Sequence, residues 1–408
     1  MGIKVVHIIN SDIGLRIHGR HYFHYLQKQG YEMNVICAPG KYVRGNMVNP
    51  DGIQVKAVPF PPRYTPVSDI KTIWRLVRLF RRHRYDIVHT HTVKPGLLGR
   101  IAAKLARTPI IIHTVHGFHN WDDMTRFEQW FFLQIERFAA RFCDSLLSQN
   151  QEDIGVAVRD HICLPSQIRY LGNGIDVDHF HPDNVSTAQV RQMRQSLGVQ
   201  PGEYLVGMIG RLVRLKGYYD YMAAAQQLHE AVEPIKFLTI GFSVPDKRDA
   251  LSPEELIAQY NLTSTMQHLG PRQDVRELIA AMDVVVLASY AEGIPRVLME
   301  AAAMGKTTVG TDVRGTRETI LDGETGILVP PRNPTALASG IKRVLENPTQ
   351  TAAMGKAARK HAEAHFDERF FFWRTDQEYR RLIRQKLPTT QLNSLRAVPA
   401  EAGFLEAT

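Results

Sequence analysis

The stretch that most constrains the fold is Met282 to Leu287, MDVVVL, which closes on four consecutive apolar residues with no alternation. A run that short and that apolar reads as a buried strand. The residues after it read as a helix from Val297 to Met304, with Pro295 where a helix accepts proline, in its first turn. A buried strand feeding a helix predicts an open α/β sheet, in which ligands meet the crevice outside the carboxyl ends of the strands. A fresh helix N-terminus there offers unpaired N–H groups to an anion. Glu292 falls on the loop and Glu300 inside the helix. Carboxylates so placed can hold hydroxyls on either side of a bound phosphate. The competing reading is an acidic strand–helix corner with no ligand, since surface glutamates are common.

At 408 residues the chain exceeds one ordinary core, so two domains are expected. Each opens as strand, helix, strand. The first has Val5 to Ile9, Leu15 to Gln29 and Met33 to Ala38; the second has Tyr204 to Ile209, Tyr218 to His229 and Lys236 to Ile240. The loop Asn10 to Gly14 lies at the end of the first strand, but Gly14 is its single glycine, a weak phosphate-loop signal. The second domain is more informative. Its first strand runs into GRLVRLKG, residues 210–217, a basic loop bounded by glycines ahead of a helix. That order suits a bound phosphate, although G-x-x-x-x-G-K-[ST] is absent. The turn-rich passage 169–180 reads as the link between domains, Glu368 to Gln385 as a long final helix, and 387–408 as a disordered tail.

Net charge is +9, and residues 1–121 hold 18 Lys+Arg against 5 Asp+Glu, so they carry +13 and the remainder −4. A cationic first domain implies an anionic partner: nucleic acid, lipid headgroups or a phosphorylated acceptor. The helix Ile73 to Arg84 gathers Ile73, Trp74, Leu76, Val77, Leu79 and Phe80 on one side and arginines elsewhere. Such a helix either lies in a membrane interface or packs on the sheet with a solvated basic face, which is the commoner arrangement. The three cysteines have no metal-ligand spacing and suggest free thiols in a reducing compartment. No run reaches transmembrane length and the N-terminus lacks a signal-peptide layout, so a cytoplasmic location is expected. His89, His91, His113, His116 and His119 crowd two strand ends, but not at helical zinc spacing, and no metal is expected there. The turn Thr114 to Gly117 stands out instead, because Gly117 permits close backbone approach. Asp176 and Asp178 form a D-x-D pair at the domain link, read as a structural turn rather than a cation site.

With these residues placed, the chain resembles glycosyltransferase family 4 from residue 3 to about 385. The resemblance rests on Glu292 and Glu300 as an E-x7-E motif, GRLVRLKG, NGID at 173–176, and Gly323 to Val329. HTHTVKPGLLGR and HTVHGF are similar to the branch that builds capsule, exopolysaccharide and O-antigen units. One departure is the first loop, where Asp12-Ile13-Gly14-Leu15 replaces the Gly-Gly of many members. The resemblance implies a GT-B fold: two Rossmann-like domains, 1–180 on the acceptor side and 181–365 on the nucleotide-sugar side, facing an interdomain cleft. A C-terminal helix, 366–386, would cross back to the first domain.

The same resemblance implies roles. Arg211 and Lys216 would hold the donor pyrophosphate, Glu300 the ribose hydroxyls and Glu292 the sugar hydroxyls. Gly293 and Ile294 would offer backbone N–H groups, Arg272 would stack on uracil, Gly14 would line the donor site, and His116 would reach the sugar ring. The implied activity is retaining, metal-independent and cofactor-free. A hexosyl or N-acetylhexosaminyl group passes from a nucleotide-sugar, expected to be a UDP-sugar, to a lipid-linked saccharide. The enzyme would sit peripherally at the inner face of the cell membrane. Alternatives are a GT-B enzyme with a soluble small-molecule or sugar-phosphate acceptor and, more distantly, a basic nucleic-acid-binding protein. The last lacks RNP, KH or zinc-finger patterns.

Overall fold

The computed structural model describes the whole chain apart from residues 1, 13–19, 41–42, 44, 50, 62–64, 119–123, 232–233, 244–249, 393–394 and 397–408, and the side chains at 20, 391 and 392. The chain forms two α/β units: Met1–Gly172 with Arg369–Thr408, and Asn173–Glu368. The expected link is split: Ile168–Tyr170 adds a strand to the first sheet, while Ile175 and Val177 are buried in the second unit among Met299, Ala302 and Ala303, so the division falls earlier than residue 180.

The first unit's strands are β1 Ile3–Ile9, β2 Tyr31–Cys37, β3 Met47–Val48, β4 Gln54–Ala57, β5 Ile87–His91, β6 Ile110–Val115, β7 Ser145–Ser148 and β8 Ile168–Tyr170. They lie in the order β3-β4-β2-β1-β5-β6-β7-β8, and only the β3–β4 pair is antiparallel. From β1 the chain winds outward one way and from β5 the other, so the switch point lies between β1 and β5. The second unit has β9 Tyr204–Ile209, β10 Ile235–Ile240, β11 Met266–His268, β12 Val284–Leu287, β13 Thr308–Thr311 and β14 Gly326–Val329. Its order is β11-β10-β9-β12-β13-β14, all parallel, with the switch between β9 and β12.

Buried strands in parallel sheets need cover on both faces, and the clusters divide by residue parity. In β1, Ile3 and Val5 join one core, and Val6 and Ile8 the other. In β12, Val284 and Val286 face one way and Val285 the opposite way. The helix Pro66–His83 covers the Val6 face through Leu76, Val77 and Phe80. Its arginines stay solvated, as does Trp74, which the sequence had placed on the apolar side and which is 54% exposed. The helix Glu368–Lys386 covers the Val5 face through Phe372, Tyr379, Leu382 and Ile383.

Part of the segment expected to be structureless is ordered. A short helix, Thr389–Leu392, follows the long one, Leu395 is buried in the first core, and the Arg396 N–H donates to the Gln29 carbonyl at 3.0 Å. Cys37, Cys143 and Cys163 are free thiols.

Candidate active site

The second unit's switch point brings together the two loops that the sequence singles out. From β9 the chain enters residues 210–217, tucks in Leu212 and Val213, and makes a single 3-10 turn, Arg214–Lys216. Gly217 ends it at φ +73°, and a Cβ there would lie 1.9 Å from the Ala288 carbonyl oxygen at the end of β12. The Tyr290 N–H donates to the Leu215 carbonyl at 2.9 Å, and the buried Tyr218 hydroxyl reaches back to the Gly210 carbonyl at 2.9 Å. The two loops therefore touch backbone to backbone, and only glycine permits it.

That contact predicts a matched pair of effects. Gly217→Ala should destabilise the second unit by about 2 kcal/mol or more, from left-handed strain plus a backbone clash. Gly323, at φ +76° with nothing within 4 Å of its would-be Cβ, carries the strain alone. Gly323→Ala should therefore cost about half as much in urea unfolding, and equal losses would deny the contact its importance.

On this frame Glu292 and Lys216 meet, with Nζ 2.5 Å from Oε1, and the buried Ser289 hydroxyl donates to the same oxygen at 2.6 Å. The Lys216 and Glu292 side chains are only 18% and 9% exposed, so water screens the pair weakly. Ser289 is itself held through its carbonyl by the Thr311 hydroxyl. The loop after β13 closes on the other side: Gly315, at φ +75°, would place a Cβ 1.8 Å from the Gly293 carbonyl oxygen.

The helix after β12 spans Arg296–Ala303 with Pro295 as its N-cap, one position earlier than a first-turn proline. Gly293 and Ile294 precede the cap rather than forming the first turn, and Ile294 is buried among Met299, Ala302 and Ala303. Glu300 lies inside the helix, 3.4 Å from Arg296, whose other amine donates to the Gly174 carbonyl at 3.2 Å. Burial pushes the Glu300 carboxyl above the usual range, against the pull of Arg296. Arg211 is exposed and makes no ion pair among the described residues. Arg272 is gripped in plane by Asp274, Nε to Oδ1 at 2.8 Å and Nη2 to Oδ2 at 2.5 Å, which leaves the faces of its guanidinium open for stacking.

Sequence reasoning passed over three residues beside this corner. Arg332, at φ +57°, stands 4.6 Å over the Tyr290 ring, and Tyr290 in turn hydrogen-bonds Asp220. The available signal was position, since Arg332 closely follows β14 at its carboxyl end. Asp176 behaves as the turn residue expected, its carboxylate accepting from the N–H groups of Asp178 and His179.

In the first unit, parity sorts the histidines. His89 and His91 face the helix Glu368–Lys386, and the sequence reading missed their third neighbour, His7, the register partner of His89. Donor nitrogens of His7, His89 and His91 lie within 4.8 Å of one another. His113 points to the other face, toward Thr90, and His116 lies beyond the end of β6, exposed, with Nε2 3.1 Å from His91 Nδ1. Gly14 and His119 lie outside the described residues.

The basic glycine-bounded loop meets Glu292 at the switch point of a parallel sheet, the place where ligands of open α/β sheets bind. Residues 14–174 match the family described as "Glycosyl transferase 4-like domain", and residues 189–361 the family described as "Glycosyl transferases group 1". The chain belongs to the glycosyltransferases that carry these two domains in this order. A UDP-Gal:alpha-D-GlcNAc-diphosphoundecaprenol alpha-1,3-galactosyltransferase of Escherichia coli is 27% identical over 332 residues, 80% of this chain and 83% of that one. A D-inositol 3-phosphate glycosyltransferase of Corynebacterium efficiens is 27% identical over 292 residues, 68% of this chain and 67% of that one. The crystal structure of Anabaena Alr3699/HepE in complex with UDP-glucose superposes with a TM-score of 0.78 at 20% identity, covering 92% of this chain and 99% of that one. The fold is thus the two-domain GT-B fold of glycosyltransferases.

Proposed function

We propose that the protein transfers a hexosyl or N-acetylhexosaminyl group from a UDP-sugar to a lipid-linked saccharide during surface polysaccharide assembly. In this reading the anomeric configuration is retained and neither a metal nor a cofactor takes part. The observation that carries it is the corner where Lys216, Glu292 and Ser289 meet at the switch point, a shielded ammonium beside a carboxylate. Lys216 and Arg211 hold the diphosphate and neutralise charge as it departs, lysine as a point charge and arginine bidentately. Glu292 takes sugar hydroxyls, Glu300 ribose hydroxyls, and Arg272 stacks on the base. Gly293 and Ile294 supply backbone N–H groups. The leaving phosphate helps deprotonate the acceptor on the same face, so catalysis rests on positioning and electrostatics rather than on a general base.

The UDP-glucose complex of the Anabaena protein supports the donor, and the Escherichia coli relative, named for a diphosphoundecaprenol acceptor, supports the lipid carrier. The Corynebacterium relative favours a second reading, transfer to a soluble phosphorylated polyol. Partition decides between them. Label from a radioactive UDP-sugar should enter a butanol-extractable product in the presence of membranes; label confined to a water-soluble product would overturn the lipid acceptor.

No helix among the described residues is long and apolar enough to cross a membrane, so the proposed association at the cytoplasmic face is peripheral. Its support is a surface that mixes exposed apolar groups with cations. Val67, Ile70 and Trp74 share the helix Pro66–His83 with Arg75, Arg78, Arg81 and Arg82. Phe127, Trp130 and Phe131 are exposed on the helix Arg126–Ala140. Each cation near an anionic surface contributes about 1 kcal/mol. Replacing Arg78, Arg81 and Arg82 together by Glu should abolish co-sedimentation with anionic liposomes; unchanged binding would refute the membrane contact.

A further inference from the structure

At the first unit's switch point the hydrogen bonds form a chain, which Tyr22 joins at Tyr379 and Gln149 at His116. The His89 Nε2 contacts the Thr114 hydroxyl at 2.7 Å, and its Nδ1 contacts the Tyr379 hydroxyl at 2.6 Å. Tyr379 also contacts His7 Nε2 at 3.0 Å. His7 Nδ1 meets His91 Nε2 at 2.9 Å, and His91 Nδ1 meets His116 Nε2 at 3.1 Å. The path leads from a fully buried tyrosine of the helix Glu368–Lys386 to an exposed imidazole at the carboxyl edge of the sheet.

Proton counting restricts this chain severely. A neutral imidazole has one donor and one acceptor nitrogen, and a tyrosine hydroxyl has one proton. If Tyr379 donates to His7 Nε2, then His7 must donate from Nδ1 to His91, and His91 from Nδ1 to His116. His89 must then donate from Nδ1 to Tyr379. If Tyr379 donates to His89 instead, every bond reverses: His116 donates from Nε2 to His91, His91 to His7, and His7 to Tyr379. In the first arrangement His7, His89, His91 and His116 are all Nδ1–H tautomers; in the second all are Nε2–H. One mixed state keeps these bonds, with His7 and His89 both donating to Tyr379 and the tyrosine proton turned out of the chain toward Tyr22. Every other mixture breaks a buried bond, which the low local dielectric makes expensive.

We infer that Tyr379 is a positioning residue: through His7 and His91 it couples the tautomer of His116 to that of His89, so His116 presents its outward nitrogen in one of two fixed characters, donor or acceptor. The inference rests on the proposed reading only in assigning His116 a ligand to meet. The surroundings keep the chain neutral. Burial holds His7, His89 and His91 well below the ordinary imidazole range, with mutual repulsion adding to it. Tyr379 faces Tyr22 and Tyr31 from neighbouring elements and Asp376 on its own helix, and burial, the largest influence, holds its hydroxyl protonated. Asp376 is in turn paired with Arg380 at 2.8 Å and accepts from the Tyr31 hydroxyl at 2.7 Å. His113, on the opposite face, feels Arg100 and does not join the chain.

The test is nitrogen-15 NMR of histidine-labelled full-length protein. In the wild type, His7, His89, His91 and His116 should show one common tautomer at neutral pH. Tyr379→Phe should disperse them, moving His116 although it lies three links away, and Thr114→Val breaks the opposite end should the first variant fail to fold. Tyr379→Phe should also lower kcat by about tenfold with KM for the donor unchanged, below the ~10²–10⁴-fold that a direct proton-transfer group supplies. Different tautomers among the four in the wild type, or a His116 unmoved by both variants, would overturn the inference. So would stoichiometric zinc in the purified protein whose removal shifts the His7, His89 and His91 signals, since the cluster would then be a metal site. The NMR result does not depend on turnover, so failure of the transferase reading would leave it standing.

Discussion

Lys216→Ala is expected to lower turnover of the UDP-sugar by about 10²–10³-fold, the range seen when one preorganised charge-stabilising donor is removed. The size follows from placement. The ammonium is 18% exposed and already fixed by Glu292, so it meets the departing diphosphate without reorganising and with little screening. The fold should survive, because Ser289 still donates to Glu292 and the loop is held by the Tyr290–Leu215 and Tyr218–Gly210 bonds. Thermal unfolding within a few degrees of wild type, together with the loss of turnover, is the expected pair of results. Wild-type turnover would reject the phosphate role. Arg211→Ala should cost less, since an exposed guanidinium is better screened.

Acid should unfold the first unit selectively. Burial lowers the pKa of His7, His89, His91 and His113 well below the ordinary 6.5. Below pH 6.5 the unfolded chain binds protons that the folded chain refuses, so stability is complete above that pH and falls as pH drops toward the folded values. Each histidine contributes a slope of about 1.4 kcal/mol per pH unit at most, so four together reach roughly 5–6 kcal/mol per unit. Against a typical stability of ~5–15 kcal/mol, unfolding should come within about two to three pH units of 6.5. Urea midpoints followed between pH 8 and pH 5 would show the fall, and His113→Asn should shallow it by one proton. A flat profile over that range would contradict buried neutral imidazoles.

The sheets were legible because strands covered on both faces need apolar side chains at every position, as in MDVVVL and in β9. The edge was not. β3 is two residues long and exposed, and β4 alternates over only four, so neither carries a pattern long enough to read. The helix Thr187–Ser196 fully buries none of its residues and carries only a short apolar stripe, Val190 and Met193, half-buried against the core, yet its capping box, Ser186 with Gln189, was present in the sequence. Within the site, the Glu292–Glu300 spacing and the loop 210–217 could be read separately. Their meeting could not, because Lys216 and Glu292 are brought together by the adjacency of β9 and β12. His7 was missed for the same reason: its partnership with His89 is a matter of register, invisible until β1 is laid beside β5.

The most direct measurement is a calorimetric titration of UDP and of uridine into the wild-type protein and Lys216→Ala. The predicted result is UDP binding in the wild type, lost or strongly weakened in the variant, with weak uridine binding the same in both. UDP affinity unchanged by the substitution would contradict the claim that this corner holds a nucleotide diphosphate.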